Sequence, residues 1–187
     1  TDALMSPASI DSILSIYSTW GNETYDEDIT QLAHALQCAA LAHHERSSEE
    51  LIAAALLHDI GHLFEIERNN GPDYTTNLRH ELTGSDYLSE LFPPAVTAPI
   101  AMHVEAKRYL AANEAGYFDG LSRGSQRSLD VQGGPFTAAE SARFMGLEGS
   151  ADAVKLRRWD DFGKVIGFEV PNFDTWIPLL LRVTSVQ

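Results

Sequence analysis

Cysteine is almost absent: the 187 residues include a single one, Cys38. One thiol cannot form an internal disulfide, so nothing here calls for an oxidising compartment. Cys38 lies in the apolar run 35–42 and reads as a small core residue rather than a catalytic thiol. Basic residues are scarce too. Thirteen lysines and arginines stand against 27 acids, a formal net charge of −14. That balance excludes the broad cationic face that nucleic-acid binding needs. An anionic small molecule would have to meet a few locally placed cations or metal ions. No stretch approaches the roughly 18 apolar residues of a membrane span. The segment TDALMSPASI lacks a basic region followed by an apolar one. The expectation is a cytoplasmic protein with neither a nucleic-acid nor a membrane partner.

What is present is mostly helical periodicity. Ile10, Ile13, Leu14 and Tyr17 recur at helical spacing, with Gly21 as a stop. Asp28 with Gln31 reads as a cap and its partner ahead of a second helix, and Ser47-x-x-Glu50 and Thr137-x-x-Glu140 as capping boxes. Asn69 to Asp73 signals a turn, and Pro93-Pro94 ends one helix and starts another. The stretch 116–136, with Gly120, Gly124, Gly133, Gly134 and Pro135, reads as the longest loop. Such loops in compact domains are often functional. No repeat, strand pair or linker is visible. The chain is expected to be all-α and one domain over 1–187.

The chemistry concentrates in the run Ala53-Ala54-Ala55-Leu56-Leu57-His58-Asp59-Ile60-Gly61-His62. His58 and His62 fall four apart on one helical face, and Asp59 about 100° round from His58. An imidazole and a carboxylate in an apolar helix are costly to desolvate unless paired or ligated. The plainer reading is a polar patch at a helix end. Against it stand His34, His80, His103 and the pair Asp160-Asp161, each in its own helical segment. Singly, each histidine is more often structural than ligating. Together they offer ligands on five successive helices, the way bundles build metal sites. His43 and His44, beside Glu45 and Arg46, read as surface residues. Zinc favours closed sites with cysteine or histidine. Mixed imidazole and carboxylate donors suit oxygen-activating iron, with manganese or a hydrolytic metal pair also compatible.

The order His…His-Asp…His…His…Asp resembles the HD-domain superfamily. The likeness tightens at Thr30-Gln31-x-x-His34-Ala35-Leu36-Gln37, Leu56 to His62, His103-Val104-x-Ala106-Lys107-Arg108-Tyr109-Leu110, Tyr117-Phe118-Asp119, Gln132-Gly133-Gly134-Pro135 and Arg157-x-Trp159-Asp160-Asp161. These resemble the phosphonate-cleaving HD-domain mixed-valent diiron oxygenases. Members of that family act on 2-amino-1-hydroxyethylphosphonate or its N-trimethylated counterpart. The resemblance implies an HD-domain helical bundle with the metal site in its core and two iron ions in a mixed-valent Fe(II)/Fe(III) state. His34, His58, Asp59 and Asp160 would hold one iron, and Asp59, His80 and His103 the other. Asp160 is preferred to Asp161 because it directly follows the aromatic residue.

The same resemblance implies a small-molecule phosphonate substrate, bound by His62, Lys107, Ser125, Gln132 and Arg157. Taken alone, Lys107 and Arg157 would read as solvated helix faces. Tyr25, His62 and Lys107 would be catalytic, and Glu27 or Asp28 would meet the substrate nitrogen. O2 would be the co-substrate of an oxidative C–P cleavage giving phosphate plus glycine or glycine betaine. Phe64 and Tyr74, as extra aromatic candidates, lean toward the trimethylated substrate through cation–π contact. The rivals are a metal-dependent HD-domain phosphohydrolase and a non-catalytic metal-holding sensor domain.

Overall fold

Short polar side chains set where the helices begin. The computed structural model describes residues 7–25, 27–71 and 77–185. Ser9 and Ser12 cap each other reciprocally at the start of α1 (Ile10–Trp20). Gly21 closes α1 with a right-handed backbone; a Cβ there would lie 2.3 Å from the Tyr17 carbonyl oxygen. Thr30, not Asp28, caps α2 (Gln31–His44), accepting from the Ala33 amide at 3.2 Å. Ser48, not Ser47, caps α3 (Glu49–Leu57). In both places two capping residues stand close together, and the backbone geometry selects the later one. The Thr137–Glu140 box opens α8 (Ala138–Met145) as expected.

The expected single helix through the His-Asp pair is two. α3 stops at Leu57, His58 and Asp59 form the turn, and α4 (Ile60–Asn69) starts afresh. Asn70, in the left-handed conformation, ends α4; of the expected turn, Pro72 and Asp73 lie outside the described residues. α5 (His80–Ser89) begins directly at His80, and α6 (Pro94–Asn113) has Pro94 in its first turn. The expected long loop contains a helix, α7 (Arg123–Val131), preceded by a short 3₁₀ turn at Phe118–Gly120. α9 (Ser150–Phe162) and α10 (Ile177–Val183) complete the chain. The described residues contain no strand beyond an isolated bridge between Thr24 and Thr30. No described helix is long and apolar enough to cross a membrane.

α3 is the axis of the bundle. Every residue from Leu51 to Leu57 is buried, which a helix tolerates only when surrounded. α2, α6, α9 and α10 pack around it. The small faces of α2 (Ala35, Cys38, Ala39, Ala42) and α3 (Ala53, Ala54, Ala55) let the backbones approach, and Trp159 and Leu156 of α9 fill the far side. Cys38 is a fully buried core residue, and His43 and His44 are exposed, as read. Each fully buried leucine contributes roughly 1.5–3 kcal/mol relative to exposure. This apolar support offsets the cost of ionisable groups at the C-terminal end of α3.

α4 and α5 cross very closely. A Cβ on Gly61 would stand 2.0 Å from the carbonyl oxygen of His80, and one on Gly84 would stand 3.1 Å from Ile60 Cγ2. The clash at Gly61 is with backbone, so α5 itself must move. Gly61→Ala is expected to destabilise the protein by roughly 1–3 kcal/mol and to displace His80. Thermal unfolding and metal analysis together check this; wild-type melting with full metal occupancy would refute the role given to Gly61.

Candidate metal centre and substrate pocket

The break between α3 and α4 turns one dipeptide into two differently aimed ligands. His58 continues the α3 geometry at φ −58°, ψ −32°, while Asp59, at φ −99°, ψ 10°, occupies the cap position of α4. An aspartate there ordinarily accepts from its own helix amides. Asp59 makes no such bond, so its carboxylate faces the bundle interior, where the α4 N-terminus still favours negative charge.

Around it the structure gathers two groups whose donor atoms could each hold a metal ion: His34, His58, Asp59 and Asp160, then Asp59, His80 and His103. Asp59 divides its oxygens between them. Oδ2 lies 3.5 Å from Nε2 of both His34 and His58, while Oδ1 lies 3.4 Å from His80 Nε2 and 3.6 Å from His103 Nε2. Asp160 closes the first group, 3.2 Å from His34 and 3.7 Å from His58. The ligands thus come from α2, the α3–α4 turn, α5, α6 and α9. These are not five successive helices, because α7 and α8 intervene.

The imidazoles are fixed from behind. Nδ1 of His34 bonds the Gly163 carbonyl at 2.7 Å, that of His58 the Ala55 carbonyl at 2.8 Å, and that of His103 the Ile100 carbonyl at 2.7 Å. His80 Nδ1 faces the buried Glu81 carboxylate at 3.6 Å. A ring donating through Nδ1 presents an Nε2 lone pair inward. Those lone pairs converge, His34 on His58 at 3.3 Å and His80 on His103 at 3.1 Å. Facing lone pairs repel unless a proton or a metal ion lies between them. Donors about 2.0–2.2 Å from a metal stand roughly 2.8–3.6 Å apart, and the separations here match. Cys38 Sγ approaches His34 at 3.8 Å. Burial and the nearby acids push its thiol pKa well up, which leaves it a core residue and a poor ligand.

The metal side opens into a pocket whose other wall is cationic. Lys107, fully buried on α6, donates to Ser128 Oγ at 2.6 Å. Burial, then the Arg157 guanidinium, lowers its pKa to about 7. Arg157 holds Asp160 at 2.6 Å and also pairs with Asp161. Asp161 accepts in addition from the Tyr117 hydroxyl and belongs to neither metal group. Ser125 Oγ receives Lys164 at 2.9 Å and Arg157 at 3.5 Å. Gln132 lines the same space, and its Oε1 is buried without a hydrogen-bond partner.

Tyr25 and His62 form a stacked wall, Tyr25 on His62 at 3.9 Å and His62 on His80 at 3.7 Å. The buried Glu65 carboxylate accepts from the Tyr25 hydroxyl (2.9 Å) and from His62 Nδ1 (3.2 Å). Burial and the adjacent His80 lower the His62 pKa. Two expectations fail here, and a third falls on an undescribed residue. Phe64 is buried in the core against Tyr87, ring centroids 4.7 Å apart, and does not line the pocket. Asp28 is exposed and away from the pocket, leaving Glu27 as its acidic residue from that loop. Tyr74 lies outside the described residues. Glu65 and Lys164, which the sequence reading missed, line the site. For Glu65 the signal was spacing, three residues beyond His62 within α4; Lys164 lies past the end of α9, where helical spacing gives none.

The HD domain family model matches residues 30–130. A hydroxymethylphosphonate dioxygenase of Gimesia maris is 45% identical over 168 residues, 89% of this chain and 84% of that protein. The glycine-betaine-forming [1-hydroxy-2-(trimethylamino)ethyl]phosphonate dioxygenase of Leisingera caerulea is 36% identical over 94% of this chain and 90% of its own. The chain belongs to the HD-domain family, in its phosphonate dioxygenase branch. An uncharacterised protein of Acanthamoeba polyphaga mimivirus is 32% identical over 95% of this chain and 82% of its own length. The HD-domain family match ends before Arg157, Asp160 and Lys164, so part of the site lies beyond it.

Without metal, protons must supply the positive charge. Burial opposes protonation of His58, but the Asp59 and Asp160 carboxylates outweigh it and raise its pKa to about 9. A metal must displace that proton. Mn(II) binding to the metal-free protein is therefore expected to release protons near pH 7.5 and to tighten as pH rises toward about 9, up to tenfold per pH unit for each proton displaced. Calorimetry in buffers of different ionisation enthalpy reads both effects. An affinity independent of pH would remove His58 from the ligand set.

Proposed function

We propose that this chain uses O2 to cleave the C–P bond of a small 1-hydroxyphosphonate, with hydroxymethylphosphonate the substrate its pocket suits best. The observation that carries the proposal is the pairing of the Asp59-centred donor groups with a facing wall of Lys107, Arg157 and Lys164. The cavity is about 100 Å³, room for roughly seven to ten waters on a scale of 10–15 Å³ each. A four-oxygen, one-carbon phosphonate fits such a space. The trimethylated substrate is disfavoured, because Phe64 is in the core and the aromatic faces of Tyr25 and His62 are stacked on each other.

His34, His58, Asp59 and Asp160 would hold one iron, and Asp59, His80 and His103 the other, with Asp59 bridging. A mixed-valent iron pair would supply, when bound, the O2 activation and the electron acceptance. The protein supplies charge, orientation and exclusion of water. Phosphonate oxygens take charge-assisted hydrogen bonds from Lys107 and Arg157, with the Ser125 hydroxyl and the Gln132 side-chain amide beside them. An arriving dianion restores full protonation to Lys107, since an opposite charge raises an amine's pKa. His62, held at Nδ1 by Glu65, directs Nε2 toward Asp59 at 4.0 Å. It is placed to accept the substrate hydroxyl proton. The reaction balances as hydroxymethylphosphonate dianion plus O2 giving formate, hydrogen phosphate and one proton: C–P and C–H bonds break, and carbon loses four electrons to O2.

The test is anaerobic iron loading followed by O2 and hydroxymethylphosphonate. Phosphate and formate should appear together, one O2 consumed per phosphate. Phosphate release without O2 uptake would overturn the proposal in favour of hydrolysis.

Lys107→Met separates binding from stability. The variant should keep its metal, while KM for the phosphonate rises by tenfold or more. It should also unfold at higher temperature when metal-free. Lys107 is protonated in the unfolded chain up to its ordinary value of 10.5 but in the fold only below about 7. Wild-type stability therefore falls as pH drops from about 10.5 to about 7 and stays reduced below that. The gain from methionine, roughly 1–4 kcal/mol near pH 7, should shrink as pH rises. Thermal unfolding across pH checks the trend, and a less stable variant at pH 7 would contradict it.

A further inference from the structure

Lys164 is the pocket cation that the proposed reaction leaves without a task. Its ammonium lies 3.3 Å from Glu27 Oε1, donates to Ser125 Oγ at 2.9 Å and stands 3.7 Å from Asp160 Oδ1. Glu27 accepts in addition from Ser122 Oγ at 2.5 Å on the same oxygen. The pair thus ties the loop before α2 to the start of α7 and to the segment after α9. Both side chains are largely withdrawn from solvent, at 15% and 21% exposure, which makes this more than a rim contact.

The lysine is held by its neighbours. The Gly163 carbonyl accepts from His34 Nδ1, and the Gln37 side-chain amide bonds both the amide of Val165 at 3.0 Å and its carbonyl at 2.7 Å. The backbone on either side of Lys164 is therefore anchored to α2, and the ammonium reaches Glu27 from a fixed base. Such preorganisation lets a charge pair hold its geometry at little entropic cost.

Glu65, the other pocket carboxylate outside the metal groups, is engaged by Tyr25 and His62. A substrate with an ammonium on the carbon beyond C1 would therefore find Glu27 already neutralised and three protein cations in the same small space. To reach Glu27 it would have to displace Lys164 from three contacts at once. A substrate without that group meets no such conflict.

We propose that Lys164, through its ion pair with Glu27, is a specificity-determining residue that stands in for a substrate ammonium and restricts the pocket to 1-hydroxyphosphonates lacking a cationic substituent. This rests on the phosphonate oxygenase reading. Rejection of this kind works through an unpaired charge rather than through shape.

The experiment compares hydroxymethylphosphonate with 2-amino-1-hydroxyethylphosphonate on the wild type, Lys164→Met, Glu27→Gln and the double variant. Binding is read by anaerobic calorimetry and turnover by O2-dependent phosphate release. The wild type should favour hydroxymethylphosphonate by about a hundredfold in kcat/KM. Lys164→Met should shift that ratio by at least tenfold toward the amino substrate in both readouts, and adding Glu27→Gln should abolish the shift. If Lys164→Met fails to fold, Glu27→Gln alone decides: it should weaken the amino substrate further while hydroxymethylphosphonate still binds. Equal losses for both phosphonates, or an unchanged ratio, would overturn the proposal and make Lys164 a plain anchor for phosphonate oxygens. A wild type that releases no phosphate from either compound under O2 would instead overturn the oxygenase reading itself.

Discussion

Everything in this structure is arranged around one buried carboxylate. Asp59 sends one oxygen toward His34 and His58 and the other toward His80 and His103. Four imidazole lone pairs and two carboxylates in a low-dielectric core are untenable without compensating positive charge. The fold makes that charge obligatory rather than optional, because backbone carbonyls fix three of the four rings from behind. The helix break at His58-Asp59, the glycine contact between α4 and α5, and the apolar stretch 51–57 of α3 each serve this constraint. The break aims the shared carboxylate of Asp59, Gly61 brings His80 close, and α3 supplies the apolar burial that offsets the polar cost.

The second half of the site balances the first. Arg157 lies on the boundary, paired to Asp160 on the metal side and Asp161 on the other. It fixes the orientation of one ligand while presenting positive charge to the pocket. Lys107 and Lys164 extend that charge. A chain with net charge −14 can therefore hold an anion, because what matters at the site is three cations in about 100 Å³ and not the sum over the surface. Screening at the roughly 8 Å Debye length of physiological salt weakens the distant acids far more than these neighbours.

Much of this could be read from the residues alone, for identifiable reasons. Histidine and aspartate in apolar helices are rare enough that His34, His58, Asp59, His80, His103 and Asp160 stood out before any coordinates. The all-helical class followed from periodicity. The break after Leu57 did not, because the apolar pattern runs unbroken through the turn, and only the φ, ψ of Asp59 separates α3 from α4. Helix α7 was hidden because its sequence, RGSQRSLDV, is polar and glycine-containing; its buried residues, Gly124, Ser125 and Leu129, are small or lone. Phe64 neighbours the site in sequence but turns to Tyr87. Lys164 follows the end of α9, where helical spacing no longer forces a side chain onto a known face.

The division of labour along the chain bears on how such a site changes substrate. Five of the six candidate ligands lie within residues 30–130, the span of the HD-domain match. Gln132, Arg157, Asp160 and Lys164 lie beyond it, and Glu27 lies before it. The pocket wall draws on both regions, with His62, Lys107 and Ser125 inside the matched span and Glu27, Gln132, Arg157 and Lys164 outside it. Substitutions at Glu27, Gln132 or Lys164 can alter the pocket wall without touching His34, His58, Asp59, His80 or His103. That freedom is limited at Arg157, since a replacement there also releases Asp160. Lys164 is tied to Asp160 more loosely, at 3.7 Å against 2.6 Å for Arg157, and its nearer partners are Glu27 and Ser125. It is the pocket cation that can change most freely while the metal centre stays intact.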